Sequence, residues 1–154
     1  MAKTGGLGSA VLIADATSVV RTISDDVTNY SFTTPRATQD VTGVDQYANQ
    51  LILLLQDYTV TLNGVFNTAA NMSHAVFSTV TSTSVIRSVE IDPIGTTTGM
   101  PALVVNNWLT DYQITRANTG ELTWQVPGSL ADGNIPTWTL HALFIMASTY
   151  SPGQ

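Results

Sequence analysis

The sequence predicts a mainly β protein, arranged as an antiparallel β-sandwich or partial barrel with one short α-helix. Threonine, which favours strands, occurs 24 times and so outnumbers the 16 charged residues. Several segments alternate apolar and polar residues, which is the pattern of a strand with one buried face. Only one segment shows helical spacing. A length of 154 residues fits a single domain, residues 1–154, with a sizeable core.

The chain begins with glycine-rich residues, and we expect residues 1–10 to form a flexible N-terminal arm. Short strands are predicted for residues 11–13, 18–23 and 30–34, where apolar residues cluster or alternate. Residues 36–50 are polar and predict a long loop. Because loops of this length in a compact domain are usually functional, we expect contact with a partner to order it.

The rest of the chain combines strands with the one predicted helix. An apolar run at residues 51–55 leads into a strand at residues 57–66. Asn67 or Thr68 is expected to cap a short helix whose apolar face carries Met72, Val76, Phe77 and Val80. Residues 117–120 form the turn of a predicted hairpin, and alternation predicts the remaining strands at residues 84–91, 109–116, 121–126 and 138–146.

The composition limits what this protein can bind. Apolar residues make up 44% of the chain and charged residues only 10%, against about 25% in a typical soluble domain. This balance excludes intrinsic disorder, and it indicates a surface largely covered by copies of the chain or by a partner. The net charge is −6 with five scattered cations, so the chain has no basic patch for nucleic acid. Residues 10–14 are apolar but too few to span a membrane, so we expect no membrane insertion.

The sequence offers no convincing catalytic or metal-binding motif. There is no cysteine, and the only histidines are His74 and His141. His141 has no acidic residue near it in sequence, so a metal site there would need partners that the sequence does not show. Glu90 and Asp92 could supply carboxylates for acid–base chemistry or for calcium, but a strand edge explains the pair at least as well. We therefore expect no enzyme, no catalytic residue, no cofactor and no metal ion.

The two longest strand patterns have an unusual polar side. In residues 57–66 and in the hairpin of residues 109–126, the polar positions carry mainly threonine, asparagine and glutamine. A free-standing surface sheet usually carries lysine and glutamate there. An uncharged polar face suits repeated contact with other subunits, or with a polymer that slides past, and it does not suit catalysis.

Taken in order, these segments resemble a known family. They are the loop Asp40-Val-Thr-Gly-Val-Asp-Gln-Tyr-Ala, the strand Asp57-Tyr-Thr-Val-Thr-Leu-Asn-Gly-Val-Phe-Asn, the helix Ser73-His-Ala-Val-Phe, and the hairpin Leu109-Thr-Asp-Tyr-Gln-Ile-Thr-Arg with Gly120-Glu-Leu-Thr-Trp-Gln-Val. The chain resembles the major tail tube proteins of long-tailed, non-contractile bacteriophages, and the type found in phages of actinobacteria is most similar. The resemblance covers roughly residues 25–147.

The resemblance implies a structural virion protein with the phage tail tube fold. Such proteins form hexameric rings that stack into a hollow tail tube, which conducts DNA into the host. One sheet from each subunit joins a continuous inner barrel, while the N-terminal arm and the long loop reach between rings. The implied partners are copies of the chain, the tape-measure protein, and the tail terminator and distal tail proteins. DNA passes through the lumen without specific binding, and the tail is assembled in the host cytoplasm.

Two sets of site residues follow from the resemblance and the strand pattern together. The lumen-facing candidates are Thr59, Thr61, Asn63, Asp111, Gln113, Thr115, Glu121, Thr123 and Gln125. Among these, Asp111 and Glu121 add negative charge at the ends of the face, and the alternative is that the face is buried between subunits. The inter-ring candidates come from the long loop, which could instead make no contact, and they are Arg36, Asp40, Asp45 and Tyr47.

Two other functions also fit the sequence. A tail terminator or head–tail connector would form a ring that does not polymerise. A virion-surface carbohydrate-binding β-sandwich would use exposed tryptophans, with Trp108, Trp124 and Trp138 as the candidates. Because these tryptophans lie in predicted strands, and Trp124 alternates with aliphatic residues, we expect them to anchor the core instead.

Overall fold

The computed structural model describes residues 5–141, which form a nine-stranded sheet, a separate two-stranded sheet and one short helix. All the strand pairs are antiparallel, so the predicted mainly antiparallel β fold with one short helix is confirmed. The elements in chain order are β1 (Ala10–Ala14), β2 (Val20–Thr22), β3 (Val27–Thr33), β4 (Arg36–Asp40), β5 (Leu51–Gln56), β6 (Thr59–Val65), α1 (Ser73–Phe77), β7 (Arg87–Asp92), β8 (Pro101–Leu109), β9 (Gln113–Arg116), β10 (Leu122–Leu130) and β11 (Trp138–Leu140).

The main sheet is open but curved, which brings the end of β2 within about 17 Å of the start of β3. Its strand order is β2-β1-β7-β8-β10-β6-β3, with β9 also paired to β10 and β11 also paired to β8. Seven flat strands would span about 29 Å, because neighbouring strands lie about 4.8 Å apart. The two end strands are consecutive in the chain: β2 ends at Thr22 and β3 begins at Val27. The five residue steps between them span at most about 17 Å. The sheet must therefore bend into a partial barrel.

The core fills the inside of this curl. Alternate residues of β1, β6, β7, β8 and β10 point inward, and the helix closes the interior with Val76 and Phe77. Trp124 lies among them with only 2% of its surface exposed. Its indole N–H donates to the carbonyl of Val65 over 2.8 Å, and its ring centre lies 4.9 Å from that of Phe77. Since its polar atom is satisfied, this large ring can be buried at little cost, and the prediction that Trp124 anchors the core is confirmed.

Helix α1 begins later than predicted, because a carboxylate from another part of the chain holds its start. The N–H of Ser73 donates to Asp26 over 3.0 Å, and the Asn67 side chain donates to the same carboxylate over 2.8 Å. The N-cap position is Met72, whose side chain makes no capping hydrogen bond. The prediction that Asn67 or Thr68 caps the helix is therefore wrong, and Asp26 supplies the acceptor instead.

The predicted strand at residues 109–116 is broken in two. β8 ends at Leu109 and β9 begins at Gln113, and the two strands pair with different ends of β10. Tyr112 lies in the break and packs inward, with its ring centre 5.7 Å from that of Phe77. Burial of this aromatic side chain accounts for the interruption, which alternation alone does not reveal.

The predicted long loop at residues 36–50 is wrong for its first five residues. They form β4, which pairs with β5, so that only residues 41–50 connect the two strands. The apolar run at residues 51–55 supplies the partner strand. The sequence does not indicate that residues 51–55 pair with residues 36–40, because β4 is polar at nearly every position.

The two ends of the described chain also differ from the prediction. Ala10 already belongs to β1, and the Ser9 hydroxyl donates to the carbonyl of Pro93 over 2.6 Å, so the predicted arm of residues 1–10 is wrong at its last residue. Of the predicted strand at residues 138–146, the first three residues form β11, and residues 142–146 lie outside the described residues. No helix between residues 5 and 141 has the length and apolar character needed to cross a membrane.

Gly64→Ala is expected to destabilise this fold strongly. A Cβ at position 64 would meet the carbonyl oxygen of Asp26 and the ring of Trp124, both of which are buried. We expect a loss of about 2–4 kcal/mol in the free energy of unfolding, measured by chemical denaturation. Gly5→Ala is the control, because a Cβ there meets nothing within 4 Å, and it should change the stability by less than about 0.5 kcal/mol. Equal losses in both variants would contradict the packing of Trp124 on Gly64.

Candidate assembly surfaces

One face of the sheet consists almost entirely of hydroxyl and amide side chains. Strands β9, β10, β6 and β3 lie side by side in that order. Alternate residues of β6 and β10, such as Leu62 and Val126, are buried, those of β3 are partly buried, and β9 is exposed throughout. Val65 and Pro127 also lie among the outward residues. The remaining outward residues define what we call the polar face, namely Asn29, Ser31, Thr33, Thr59, Thr61, Asn63, Gln113, Thr115, Thr123, Gln125 and Ser129.

The backbone register aligns the polar face into rungs across the strands. Two such rungs are Thr33-Thr59-Ser129 and Asn29-Asn63-Gln125-Gln113. The hydroxyls of Thr33 and Thr59 lie 2.9 Å apart, and the amide of Asn63 donates to the side-chain oxygen of Asn29 over 2.7 Å. Side chains that bond to their cross-strand neighbours hold the face in a fixed arrangement. The polar face is thus ordered and carries no formal charge.

The lumen-facing candidates divide into two groups. Asp111 and Glu121 lie outside the strands, in the break between β8 and β9 and in the turn before β10, so they flank β9 at its two ends. Both are exposed. Four polar-face residues were not among the candidates, namely Ser129 of β10 and Asn29, Ser31 and Thr33 of β3, although β3 shows an alternation like that of β6. The other candidates all lie on the polar face, as alternation predicted, and they are Thr59, Thr61, Asn63, Gln113, Thr115, Thr123 and Gln125.

Strands β4 and β5 form a hairpin that does not pair with the main sheet, and we call residues 36–56 the hairpin arm. Hydrogen bonds order its turn. The N–H of Thr42 donates to Asp40 over 2.9 Å, and the N–H of Gln50 donates to the Thr42 hydroxyl over 2.7 Å. Hydrogen bonds from the Thr42 hydroxyl and N–H lower the pKa of Asp40. The arm is therefore a defined two-stranded extension of the fold.

Strand β5 is apolar on both of its sides, and both sides are exposed. Leu51 and Leu53 point one way and are 57% and 58% exposed, and Leu55, which lies at a register shift between β4 and β5, is 89% exposed. Ile52 and Leu54 point the other way and are 44% and 40% exposed. A strand that is apolar on both sides usually has other parts of a protein packed against both of them. The hairpin arm thus presents an apolar surface that water disfavours.

The inter-ring candidates are spread along the hairpin arm. Arg36 and Asp40 lie at the two ends of β4, while Asp45 and Tyr47 lie in the turn at its tip. All four residues are exposed, and the side chain of Tyr47 is fully so. The Arg36 guanidinium donates to the carbonyl of Leu54 over 2.9 Å, so this residue also braces its own hairpin.

Trp108 and Trp138 are partly exposed, so the prediction that they anchor the core is wrong. They are 39% and 53% exposed. Trp108 lies opposite Ser129 on the outward side of β8, whereas Trp138 lies opposite Leu103 and contacts the ring of Phe32 at 5.8 Å. Their register positions on β8 are five residues apart, which is about 17 Å along the strand, and this odd spacing places the two side chains on opposite sides of the sheet. They do not form a single stacking platform for a sugar.

The fold brings Glu90, Asp92 and His141 together, which the sequence did not predict. The Nδ1 atom of His141 lies 2.8 Å from a carboxylate oxygen of Glu90 and 3.6 Å from one of Asp92. Asp92 is fully buried, so the expectation of a strand-edge residue is wrong for it. Burial and the adjacent Glu90 carboxyl raise the pKa of Asp92 to about 7, although His141 acts in the opposite direction.

Comparison with known proteins adds evidence about the fold. No protein-family model matches this chain, and no curated protein matches it. The chain is similar to a solved structure of the tail of an empty gene transfer agent particle, obtained with helical refinement and C6 symmetry. The two share 13% identity over 91% of this chain and 100% of the other, with a TM-score of 0.69. A chain in the virion of a native gene transfer agent particle matches with 14% identity, over 92% of this chain and 100% of the other, with a TM-score of 0.66. The chain has a tail-tube-like fold.

The tail-tube-like fold confirms the predicted resemblance at the level of architecture. Both solved neighbours come from tails or virions of gene transfer agent particles. The similarity extends over the full length of each neighbour and more than nine tenths of this chain. It therefore includes the whole architecture of the neighbour and not one shared motif.

Proposed function

We propose that this chain is a structural protein of a virion tail, and that its copies form hexameric rings stacked into a hollow tube that conducts DNA. The exposed hairpin arm is the observation that carries the proposal, because a strand that is apolar on both sides needs cover on both sides. The tail-tube-like fold, shared with a structure that has C6 symmetry, supports copies of the same chain as that cover.

Burial of the hairpin arm would supply a driving force for assembly. Its five apolar side chains in β5 are between 40% and 89% exposed. Full burial of one such side chain contributes about 1.5–3 kcal/mol, so covering the exposed parts of all five contributes on the order of 5 kcal/mol per subunit. Since one neighbour covers only one side of the strand, we propose that the arm inserts between two neighbouring subunits, in one ring or in adjacent rings.

The polar face has an open strand edge on each side. Among the described strands, β9 pairs only with β10 and β3 pairs only with β6. Because open edges readily pair with another chain, we propose that β9 of one subunit meets β3 of the next in a head-to-tail ring. Six subunits with four strands each would give a barrel of about 115 Å circumference and about 37 Å diameter, which is wide enough for a DNA duplex.

The polar face suits contact with a passing polyanion. It offers hydroxyls and amides but no lysine or arginine, and the whole chain carries a net charge of −6. DNA is held on proteins mainly by cations that neutralise its phosphates, so this face would let DNA pass without specific binding. We therefore assign the polar face to the lumen, with Asp111 and Glu121 adding weak repulsion at the ends of β9. The alternative is that the polar face is buried between subunits.

The tip of the hairpin arm is the proposed contact with the next ring. Asp45 and Tyr47 lie at this tip, and Arg36 and Asp40 lie along the strand that carries it. We extend the same role to the N-terminal arm of residues 1–9. In such a tail the single domain would meet further copies of itself, the tape-measure protein, and the tail terminator and distal tail proteins. It would be assembled in the host cytoplasm and reside in the virion.

Leu53→Asp is expected to abolish assembly without unfolding the subunit. Leu53 is 58% exposed in β5, so a carboxylate there stays hydrated in the free subunit but would be buried unpaired in the assembly. Electron microscopy of the concentrated protein should show tubes or stacked rings for the native sequence and none for the variant. Circular dichroism should show the same β spectrum for both.

Ile135→Asp is the matched control for this experiment. Ile135 is 59% exposed but lies outside both the hairpin arm and the polar face, so the variant should assemble like the native chain. Normal tubes from Leu53→Asp would show that the arm has no role in assembly. Native rings that never stack would instead favour the tail terminator or head–tail connector.

Labelling of a single cysteine distinguishes a lumen from a subunit interface. The chain has no cysteine, so Thr61→Cys places one thiol on the polar face. In assembled tubes, we expect this thiol to react with a small maleimide but not with a maleimide on a bead wider than the lumen. Thr97→Cys, in an exposed loop, controls for thiol reactivity in the free subunit. If neither reagent labels Thr61→Cys in tubes, the face is buried between subunits, and if both do, it lies outside.

A further inference from the structure

The cluster of Glu90, Asp92 and His141 lies on the sheet side opposite the core. Glu90 and Asp92 are two residues apart in β7 and alternate with the buried Val89 and Ile91, so their side chains share the outward side. Each of the three residues offers one ligand atom, and these atoms all lie within 4.8 Å of one another. The cluster lies outside the polar face, since β8 separates β7 from β10, the nearest strand of that face.

The backbone places His141 firmly beside these carboxylates. β11 pairs with the start of β8, where Leu140 lies opposite Pro101. His141 continues this ladder, since its N–H donates to the carbonyl of Met100 over 2.6 Å and its own carbonyl accepts from Gly99 over 2.7 Å. The imidazole then reaches across β8 to the carboxylates of β7. Its side chain is only 13% exposed.

Asp92 lacks the hydrogen bonds that a buried carboxylate needs. It is 0% exposed, and among the described residues no group donates a hydrogen bond to either of its carboxylate oxygens. A buried carboxylate without partners is costly unless it is paired or coordinates a metal ion. The Asp92 carboxylate faces the His141 imidazole, so the oxygens that accept no hydrogen bond lie within the cluster.

We propose that Glu90, Asp92 and His141 bind one divalent transition-metal ion, for which Zn²⁺ is the best match. One imidazole nitrogen and two carboxylate oxygens are ligands that zinc accepts, with water as a fourth. Calcium and magnesium prefer oxygen ligands alone, so the imidazole argues against them. Ligands about 2.1 Å from a tetrahedral ion lie about 3.4 Å apart, which is close to the 3.6 Å between His141 and Asp92. The 2.8 Å between His141 and Glu90 is a hydrogen-bond distance, and these two groups would move slightly apart when the ion binds.

The ion would fasten the segment after β11 to β7 across the intervening β8. The sheet already pairs β7 with β8 and β8 with β11, and a metal bridge would add a direct link between the outer two. This inference does not depend on the proposed tail function, because its ligands lie outside the polar face and the hairpin arm. A failed metal test would therefore leave the assembly proposal standing, and failed assembly would leave this site unchanged.

Metal content tests the proposal directly. The full chain is equilibrated with Zn²⁺, passed through a desalting column and analysed by elemental mass spectrometry. We expect about one Zn²⁺ per chain for the native sequence and less than about a tenth of that for Asp92→Asn or His141→Gln. His74→Gln is the matched control, because it removes the only other histidine, and it should retain the metal. Equal zinc contents in His141→Gln and His74→Gln would overturn the proposal.

Thermal unfolding shows whether a variant has lost the ligand or the fold. Zn²⁺ in large excess should raise the melting temperature of the native chain by about 5 °C or more, and should leave that of Asp92→Asn unchanged. Without metal, Asp92→Asn should melt at or above the native temperature, because the amide carries no charge to bury. A native chain that binds no zinc and whose melting temperature does not respond to it would show that the three residues form only an ion pair.

Discussion

The pairing of β6 with β10 is the constraint on which the rest of the structure depends. Trp124 lies directly over Gly64, where no larger residue fits, and this contact fixes the register of the two strands. That register places Leu62 and Val126 in the core and turns their neighbours outward. Because side chains alternate with a period of two, a slip by one residue would bury the amides and expose the core. Both the hydrophobic core and the polar face therefore rest on one packing contact.

The second feature that defines this protein is an imbalance between its two sheets. The main sheet hides its apolar side within its own curl, whereas the hairpin arm cannot hide β5 because β4 covers neither of its sides. The low charge of the whole chain, 10% of residues, fits the same picture, since surfaces that meet copies of themselves carry few charges. In the proposed tail, each subunit would complete the burial of its neighbour, so the tube would be more stable than its parts.

Alternation predicted the polar-face residues of β6 and β9 and two of the three in β10, because side-chain direction in a strand depends only on parity, but the polar-face residues of β3 were missed. Thr61 and Gln125 could be assigned to this face without knowing which strands pair. The hairpin arm was harder, because the polar β4 shows no strand pattern and becomes a strand only through pairing with β5. Sequence alone could not join His141 to Glu90, since 51 residues separate them and only the path of β11 along β8 brings them together.

The central claim is that copies of this chain form a six-fold tube with the polar face towards its axis. Cryo-electron microscopy of the assembled protein with helical reconstruction tests it most directly. We predict rings of six subunits in which β3, β6, β10 and β9 line the lumen and the hairpin arm of each subunit lies between two others. A reconstruction that placed the polar face on the outer wall, or left the leucines of β5 in solvent, would contradict this account.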